Sequence, residues 1–521
     1  MSGERQQEDV LAFLADPATH GLDEPVQRID THGAAVFLAG PDVYKLNLAV
    51  RLPYLDFSTL AARQKACARE IEVNRPLAPE LYLGVLPITR AADGLHLDGK
   101  GAIVDWVVHL RRFDERATLD RLAERRALQP ALIDELARAV EASHRQARTM
   151  REGTATAALG HVLDETVAEM QAARDLLPTA GLERLAAGLK TAFAAQEGLL
   201  RAREAAGMVR RCHGDLHLRN IASIDGKPVL FDALEFDEAM ATTDILYDFA
   251  FLLMDLEVRG LRAESNRLFN RYFWLTGHPR DFAAGCALLP LFLGLRAAIR
   301  AKIEVTQARS HHKDAAHLGA ARDYLAAALD FLKAAPPCLL AVGGLSGSGK
   351  STLAAALAPA LQPAPGALHL RSDIERKRLF AVDPLQRLPA RAYTGDVSDE
   401  VHARLYELAG RALAAGQSVV VDAVHQDEPR RREVEAIAGR QNVPFKGFWL
   451  EADPALLRER VSRRQGDASD ATAAVVDAQL ERPLGTMSWK KLDAAASPAA
   501  ILVEASALLP AASRRNESRR S

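Results

Sequence analysis

Apolar residues in 315–333 (AAHLGAARDYLAAALDFLK) recur at helical spacing, so the segment reads as a helix. It runs into Ala334-Ala335-Pro336-Pro337, where two prolines cannot continue a helix. The next residues, Cys338-Leu339-Leu340-Ala341-Val342, form a short apolar run with the character of a buried strand. Helix, proline stop and fresh strand together predict a domain boundary near residue 335. Upstream, 34–50 (AAVFLAGPDVYKLNLAV) reads as a hairpin turning at Gly40-Pro41-Asp42. Residues 58–75 read as helix, and 81–90 and 101–112 as strands. The Ala-, Leu-, Glu- and Arg-rich text of 117–206 predicts mostly helix. Strand signals return at 219–232, and helices fill 244–333.

Composition narrows the class. At about 150 residues per domain, a chain of 521 residues holds two or three compact units. With 48% hydrophobic and 26% charged residues, it is neither disordered nor fibrous. A net charge of −2 excludes a globally basic nucleic-acid binder, though not a local basic patch. Cys67, Cys212, Cys286 and Cys338 are scattered, with no CxxC pair, so neither a disulfide framework nor a structural zinc site is expected. The opening MSGERQQEDV is polar and acidic, unlike a secretory signal. Apolar runs such as 286–293 fall short of the roughly 18 residues of a membrane span. A cytoplasmic protein without a membrane partner is the expectation. The end of the chain, 508–521, with four arginines in SRRNESRRS, is expected to be a disordered tail.

The most specific motif is Gly344-Leu345-Ser346-Gly347-Ser348-Gly349-Lys350-Ser351, which fits GxxxxGK[ST]. It follows the strand 338–342 and precedes an Ala/Leu-rich helix at 352–361 that begins with Thr352. Glycines let backbone N–H groups curl around phosphate oxygens, and the helix dipole favours negative charge. Lys350 is expected on the β- and γ-phosphates, and the Ser351 hydroxyl on Mg²⁺. Residues 367–373 read as a second strand ending in Ser372-Asp373, with Arg376 three residues on. A carboxylate there can take the proton of an attacking hydroxyl. The strand 418–422 also ends in a carboxylate, Asp422, set near the metal or the acceptor; a turn or helix-capping role is the other reading. Beyond a fourth strand at 446–450, Arg460 and Arg464 lie on a helix leading into the Gly/Asp/Ser loop 465–471, a pattern that suits a lid bringing positive charge to the phosphoryl group. Residues 338–505 resemble the P-loop kinase superfamily, most of all the small kinases grouped with polynucleotide 5′-hydroxyl kinases, gluconate kinases and zeta-toxin-like enzymes. The resemblance implies that Asp373 activates the acceptor and that Arg376 contacts it.

A second constellation lies in His213-Gly214-Asp215-Leu216-His217-Leu218-Arg219-Asn220. Asp and Asn five apart match the protein-kinase catalytic loop, in which the Asp meets the acceptor hydroxyl and the Asn reaches a metal ion. Twelve residues after Asn220, an apolar strand ends in Asp232, where a second metal-chelating carboxylate is expected. These residues resemble the aminoglycoside phosphotransferase family, a kinase-like fold that also includes choline and homoserine kinases. The resemblance implies Asp215 as catalytic base, Asn220 and Asp232 as Mg²⁺ ligands, and His217 as a brace. It also makes Lys45, with Glu70 on the next helix, the pair that holds the α- and β-phosphates. The segment Thr31-His32-Gly33-Ala34-Ala35 departs from a full glycine loop. Asp244 and Asp248 share a helical face; Asp244 is read as structural support for the catalytic loop through Arg219, or as an acceptor contact. Arg296, Arg300 and Lys302 read as a solvated basic face, or as a pair of arginines turned to an acceptor.

The whole chain resembles bacterial proteins that join an aminoglycoside-phosphotransferase-like domain to a P-loop kinase-like domain. The expected fold is an α+β, two-lobed, protein-kinase-like domain over 1–335 (small lobe 20–112, large lobe 113–335), followed by an α/β P-loop domain with a mostly parallel sheet over 336–507. The expected activity is transfer of the γ-phosphate of ATP, with Mg²⁺, to hydroxyls of small molecules at two sites. Two other readings are a polynucleotide 5′-hydroxyl kinase activity of the second half and a nucleotide-sensing protein with one silent site. Near-neutral charge and 6% aromatic residues count against a nucleic-acid partner without removing it. Neither the acceptors nor the oligomeric state can be read from the residues.

Overall fold

The computed structural model describes residues 2–31, 33–52, 55–150, 153–310, 314–464 and 466–510. His32, Gln465 and nearly all of the expected tail lie outside the described residues. By packing, the chain forms two compact units, one running to Leu159 with Glu204–Leu252, the other Gly160–Arg203 with everything from Leu253 onward. This division cuts across the sequence break at 335, because the helices 253–331 are packed into the unit that holds the phosphate loop.

The first unit is built on a six-stranded antiparallel sheet in the order Gln27–Asp30, Ala34–Ala39, Asp42–Asn47, Ala102–Arg111, Tyr82–Ala91, Gly94–Leu97. Phe37, Leu46, Ile88 and Val107 form its core, closed by Val10 and Leu14 of the helix Ser2–Ala15. That helix was not legible in the polar opening of the chain. It is anchored by Gln7, whose amide donates to Asp105 Oδ2 at 3.1 Å and to the Asn47 carbonyl at 3.0 Å. Helix Leu60–Asn74 carries Glu70 and, through Arg63, pairs with buried Asp105 at 2.7 Å. After the helix Pro130–Gln146, the hairpin Ile221–Ile224 with Lys227–Leu230 sets the loop 213–220 before it and Asp232 after it.

In the second unit a five-stranded, wholly parallel sheet runs Leu368–Arg371, Val419–Asp422, Leu339–Gly344, Phe445–Glu451, Lys490–Asp493. The fifth strand escaped the sequence reading, since only Leu492 of its four residues is buried. Leu340, Val342, Leu357, Val420 and Phe448 fill the core on one face. The edge strand Leu368–Arg371 is covered by the helix Arg262–Leu275. Asn270 Oδ1 accepts from the His369 N–H at 2.7 Å, and Trp274 Nε1 donates to the His369 carbonyl at 3.0 Å. Asn266 and Asn270 both donate to the Ala367 carbonyl, and Arg262 to the carbonyls of Pro359 and Leu361. An edge that would template pairing with another chain is thereby satisfied by side chains.

Two readings are corrected here. Arg300 is not on a solvated face: it lies over the Tyr324 ring at 5.7 Å and pairs with Glu304 at 3.3 Å, while Arg296 is buried. The stretch Pro279–Ser310 is long and apolar enough to cross a membrane, although no single run within it is; 78% of its most apolar window is buried inside the fold.

Candidate active sites

The first site assembles within the first unit. Lys45, on the strand Asp42–Asn47, places Nζ 2.9 Å from Glu70 Oε1 and 3.7 Å from Asp232 Oδ1. Burial alone would lower the Lys45 ammonium, but the carboxylates of Glu70, Asp232 and Glu235 outweigh it and hold the charge. Burial pushes Glu70 upward against the pull of Lys45. The segment around Asp232 is fixed from both sides. The Asp232 N–H donates to Tyr82 Oη at 3.0 Å, and Ala233 exchanges two hydrogen bonds with the Asn74 side chain on the helix that carries Glu70. Asp232 itself has φ +59°, a conformation uncommon outside glycine and typical of functional turns.

The loop 213–220 is held by Asp248. Asp248 Oδ1 accepts from the Gly214 N–H at 2.8 Å, and its Oδ2 lies 3.1 Å from His144 Nε2. Asp244 accepts from the Leu246 N–H at the head of its helix. Gly214 has φ +84°, and a Cβ there would meet Leu234 Cβ at 3.0 Å, so the turn requires glycine. Asn220 donates its amide to Asp215 Oδ2 at 3.0 Å and to the Asp215 carbonyl at 3.1 Å. His217 Nε2 is 3.3 Å from Asp215 Oδ2, the bracing position expected of it. The Phe231 N–H donates to the Asn220 carbonyl, which brings Asn220 beside the Asp232 segment. With its amide nitrogen used, Asn220 has its side-chain oxygen left for a cation, and the Asp232 side chain is half exposed. A carboxylate and an amide oxygen are hard donors that fit Mg²⁺.

The second site lies at the phosphate loop. A Cβ on Gly344 would sit 2.5 Å from Ser348 Oγ, and one on Gly347 2.6 Å from the Leu457 carbonyl. Gly347 and Gly349 both have φ +86°. Ser348 Oγ is buried without a hydrogen-bond partner, and Lys350, 8% exposed, makes no ion pair among the described residues. Burial lowers the Lys350 ammonium below its ordinary value. An unpaired lysine and an orphaned hydroxyl inside a glycine cradle fit a polyphosphate. Ser346 anchors the loop, its N–H donating to Gln479 Oε1 at 2.9 Å.

The second strand ends at Arg371, two residues short of the sequence reading, so Ser372 and Asp373 open the helix Ser372–Leu379. Asp373 still faces the cavity beside Lys350, and burial pushes its carboxyl above the ordinary value. Asp422 caps no helix. It accepts from His369 Nε2 at 3.2 Å and lies 3.4 Å from Arg371 Nε. Burial would raise its carboxyl, but His369 and Arg371 hold it well below the usual range. The loop 466–471 is tied down by its own carboxylates: Asp467 reaches Arg371 at 3.2 Å, and Asp470 reaches Lys377 at 2.6 Å and Tyr393 Oη at 2.5 Å. Arg464 lies close enough to Lys350 to help lower its ammonium. Arg460 does not join the site; its guanidinium donates to the Ala494 carbonyl at 2.9 Å.

A cavity of about 630 Å³ opens from Ser346 and Lys350 past Asp373 and Arg376 to Tyr393, His402, His425 and Arg430. The sequence reading missed its far end. His425 lies three residues beyond Asp422, and the helix Gly395–Ala414 that carries His402 bears no motif.

Residues 42–284 match the model of the "Phosphotransferase enzyme family", and residues 339–483 that of an "AAA domain". The uncharacterized protein Rv2004c of Mycobacterium tuberculosis is 29% identical over 490 residues, 92% of this chain and 94% of the relative. Protein Mb2027c of Mycobacterium bovis matches to the same extent. Among solved structures, a choline/ethanolamine kinase family protein from Mesorhizobium loti aligns with TM-score 0.39 and 15% identity, over 63% of this chain and 95% of its own. A gluconokinase from Sinorhizobium meliloti aligns with TM-score 0.24 and 24% identity, over 34% of this chain and 92% of its own.

Proposed function

Since the chain joins a kinase-like phosphotransferase-family domain over 42–284 to a P-loop kinase-type domain over 339–483, we propose that it is an ATP-dependent phosphotransferase with two transfer sites, each acting on a hydroxyl of a small molecule in the cytoplasm. The observation that carries this reading is the contact of Lys45 with both Glu70 and Asp232, at 2.9 and 3.7 Å. A silent site would have no need to keep a buried ammonium between two carboxylates on three separate elements.

At the first site Lys45 binds phosphate oxygens while Glu70 fixes its position. Asp215, oriented by Asn220 and His217, accepts the proton of the acceptor hydroxyl. As the acceptor oxygen bonds to the γ-phosphorus, the bond from that phosphorus to the β,γ-bridging oxygen breaks, and ADP leaves with the electron pair. Asn220 and Asp232 here, and Ser351 at the phosphate loop, would hold Mg²⁺, which would neutralise charge on the phosphates. At the second site Lys350 and the loop N–H groups hold the phosphates, Asp373 takes the hydroxyl proton, and Arg464 adds positive charge. Positioning and charge neutralisation supply most of the rate in such transfers.

Calorimetry with a non-hydrolysable ATP analogue tests the two-site reading. Two equivalents should bind per chain, Lys45→Met removing one and Lys350→Ala the other. A single equivalent, insensitive to Lys45→Met, would leave the sensing alternative standing.

A further inference from the structure

Glu238 gathers three guanidiniums from separate elements. It heads the short helix Glu238–Ala241. Its Oε2 pairs with Arg69 and, at 3.4 Å, with Arg211, and its Oε1 pairs with Arg148 at 2.9 Å. Burial would raise its carboxyl, but Arg69 and Arg211 hold it below the ordinary value. Two of the three arginines share one mount with Glu238. The Arg211 N–H donates to the Arg148 carbonyl at 2.9 Å, and the Cys212 N–H to the Ala241 carbonyl at 2.8 Å. The strand Val209–Arg211 also pairs with Thr242–Asp244, which directly follows the Glu238 helix. Backbone hydrogen bonds therefore fix Glu238, Arg148 and Arg211 to the strand that leads into the loop 213–220. Arg69 comes from elsewhere: it lies on the helix Leu60–Asn74, one residue before Glu70.

Glu70 depends on where its helix stands. Its Oε1 meets Lys45 at 2.9 Å, but its Oε2 is buried without a hydrogen-bond partner among the described residues. Nothing on that second oxygen steers the carboxylate, so its placement follows the backbone beneath it. Asn74 ties the helix to Ala233, and Arg63 ties it to Asp105. Arg69 adds the tie to the strand entering the loop of Asp215. Without the Glu238 carboxylate, three like charges would face one another. Arg69 keeps a second carboxylate, Glu72 at 2.8 Å, on its own helix, and so is free to part from the other two.

We propose that Glu238 is a positioning residue of the first site: by drawing Arg69 onto Arg148 and Arg211, it locks the Glu70 helix to the strand that leads into the loop of Asp215, and so keeps Lys45 and Asp215 in register. The inference rests on the kinase reading of that site. In-line transfer is sensitive to small displacements of the groups that hold the phosphates and the acceptor, which is where such a lock acts. The clasp is written into the sequence, so the site assembles without an added phosphate to gather the arginines.

The test uses the full chain carrying Lys350→Ala, which empties the phosphate loop of nucleotide, with ATP and Mg²⁺. Slow hydrolysis, in which water takes the acceptor's place and ADP leaves, then reports the first site. Glu238→Gln keeps the shape of the side chain and removes its charge. It should lower kcat by roughly 10-fold with the KM for ATP changed far less, the low end for charge-assisted hydrogen bonds because the carboxylate is partly exposed. Hydrogen exchange should quicken in the helix Leu60–Asn74 and stay unchanged in the strand Leu339–Gly344. Glu238→Ala leaves room for a free anion. Acetate, against chloride of equal ionic strength, should restore turnover in that variant and do nothing to the parent, an answer that a merely structural role would not give. Arg69→Gln should reproduce the loss without responding to acetate, a second variant in case the first folds poorly. Parent-like turnover and exchange in Glu238→Gln or Arg69→Gln, or a loss in Glu238→Ala that acetate leaves untouched, overturns the clasp. If the parent hydrolyses no ATP, exchange decides alone: a quickened helix in Glu238→Gln supports the clasp, and an unchanged one overturns it. The kinase reading fails separately, when a non-hydrolysable ATP analogue slows exchange nowhere in the first unit of the parent.

Discussion

Replacing Asn270 by Ala should destabilise the unit that carries the phosphate loop, although Asn270 is far along the chain from every motif in it. The side chain is 5% exposed and accepts from the His369 N–H at 2.7 Å while donating to the Ala367 carbonyl at 3.2 Å. Truncation leaves the His369 N–H, on a residue 2% exposed, with no acceptor. A buried N–H left unpaired costs about 1–3 kcal/mol. The Ala367 carbonyl keeps its bond from Asn266 at 3.1 Å, so that loss is partial. With the small void added, the total is about 2–4 kcal/mol. Urea unfolding followed by tryptophan fluorescence reads this directly, since Trp274 packs edge-on to His369 at 5.7 Å. The midpoint should fall with the slope unchanged, and exchange of the His369 amide should quicken. A variant within about 0.5 kcal/mol of the parent would refute the view that this helix completes the sheet edge.

Two further outcomes follow from local geometry. Gly347→Ala should abolish nucleotide binding at the phosphate loop, because the added methyl meets the Leu457 carbonyl at 2.6 Å in a backbone with φ +86°; calorimetry should then register one analogue equivalent instead of two. Burial lowers His402 to about 4 and His425 to about 3, below the ordinary value near 6.5. The folded pKa lies below the unfolded one, so the stability these rings contribute is complete above pH about 6.5 and is lost as pH falls toward about 4, by up to about 1.4 kcal/mol per pH unit for each ring. Urea midpoints should drop across that window, and His402→Gln should flatten the slope; a flat profile in the parent would contradict it.

What could be read from the residues was local chemistry. The glycine cradle, the HGDxHxxN loop and the strand-end carboxylates announce themselves because each needs fixed residue types a few positions apart. Lys45 and Glu70 were legible only through the family resemblance, which supplies the lysine–glutamate pair that their sequence surroundings do not announce. The helix Ser2–Ala15 was not, since it buries Gln7 along with Val10 and Leu14 and so lacks a clean apolar face. Nor was the cover over Leu368–Arg371, where Asn266, Asn270 and Trp274 act on backbone about a hundred residues away. Nor was the hold of Asp248 on the Gly214 N–H, a contact made only in the tertiary fold. Arg460 failed for the opposite reason: an arginine in a lid-like run was read by company, while its guanidinium had found a carbonyl behind the helix.

The central claim is two independent transfer sites. Its most direct measurement is the set of phosphorylated products, by mass spectrometry, that the full chain forms from ATP and a panel of hydroxyl compounds, compared with Asp215→Ala and Asp373→Ala. Two product classes are predicted, each lost by roughly 100-fold or more in one variant and retained in the other, the share a general base contributes. One substitution that removed every product, or products indifferent to both, would contradict the account.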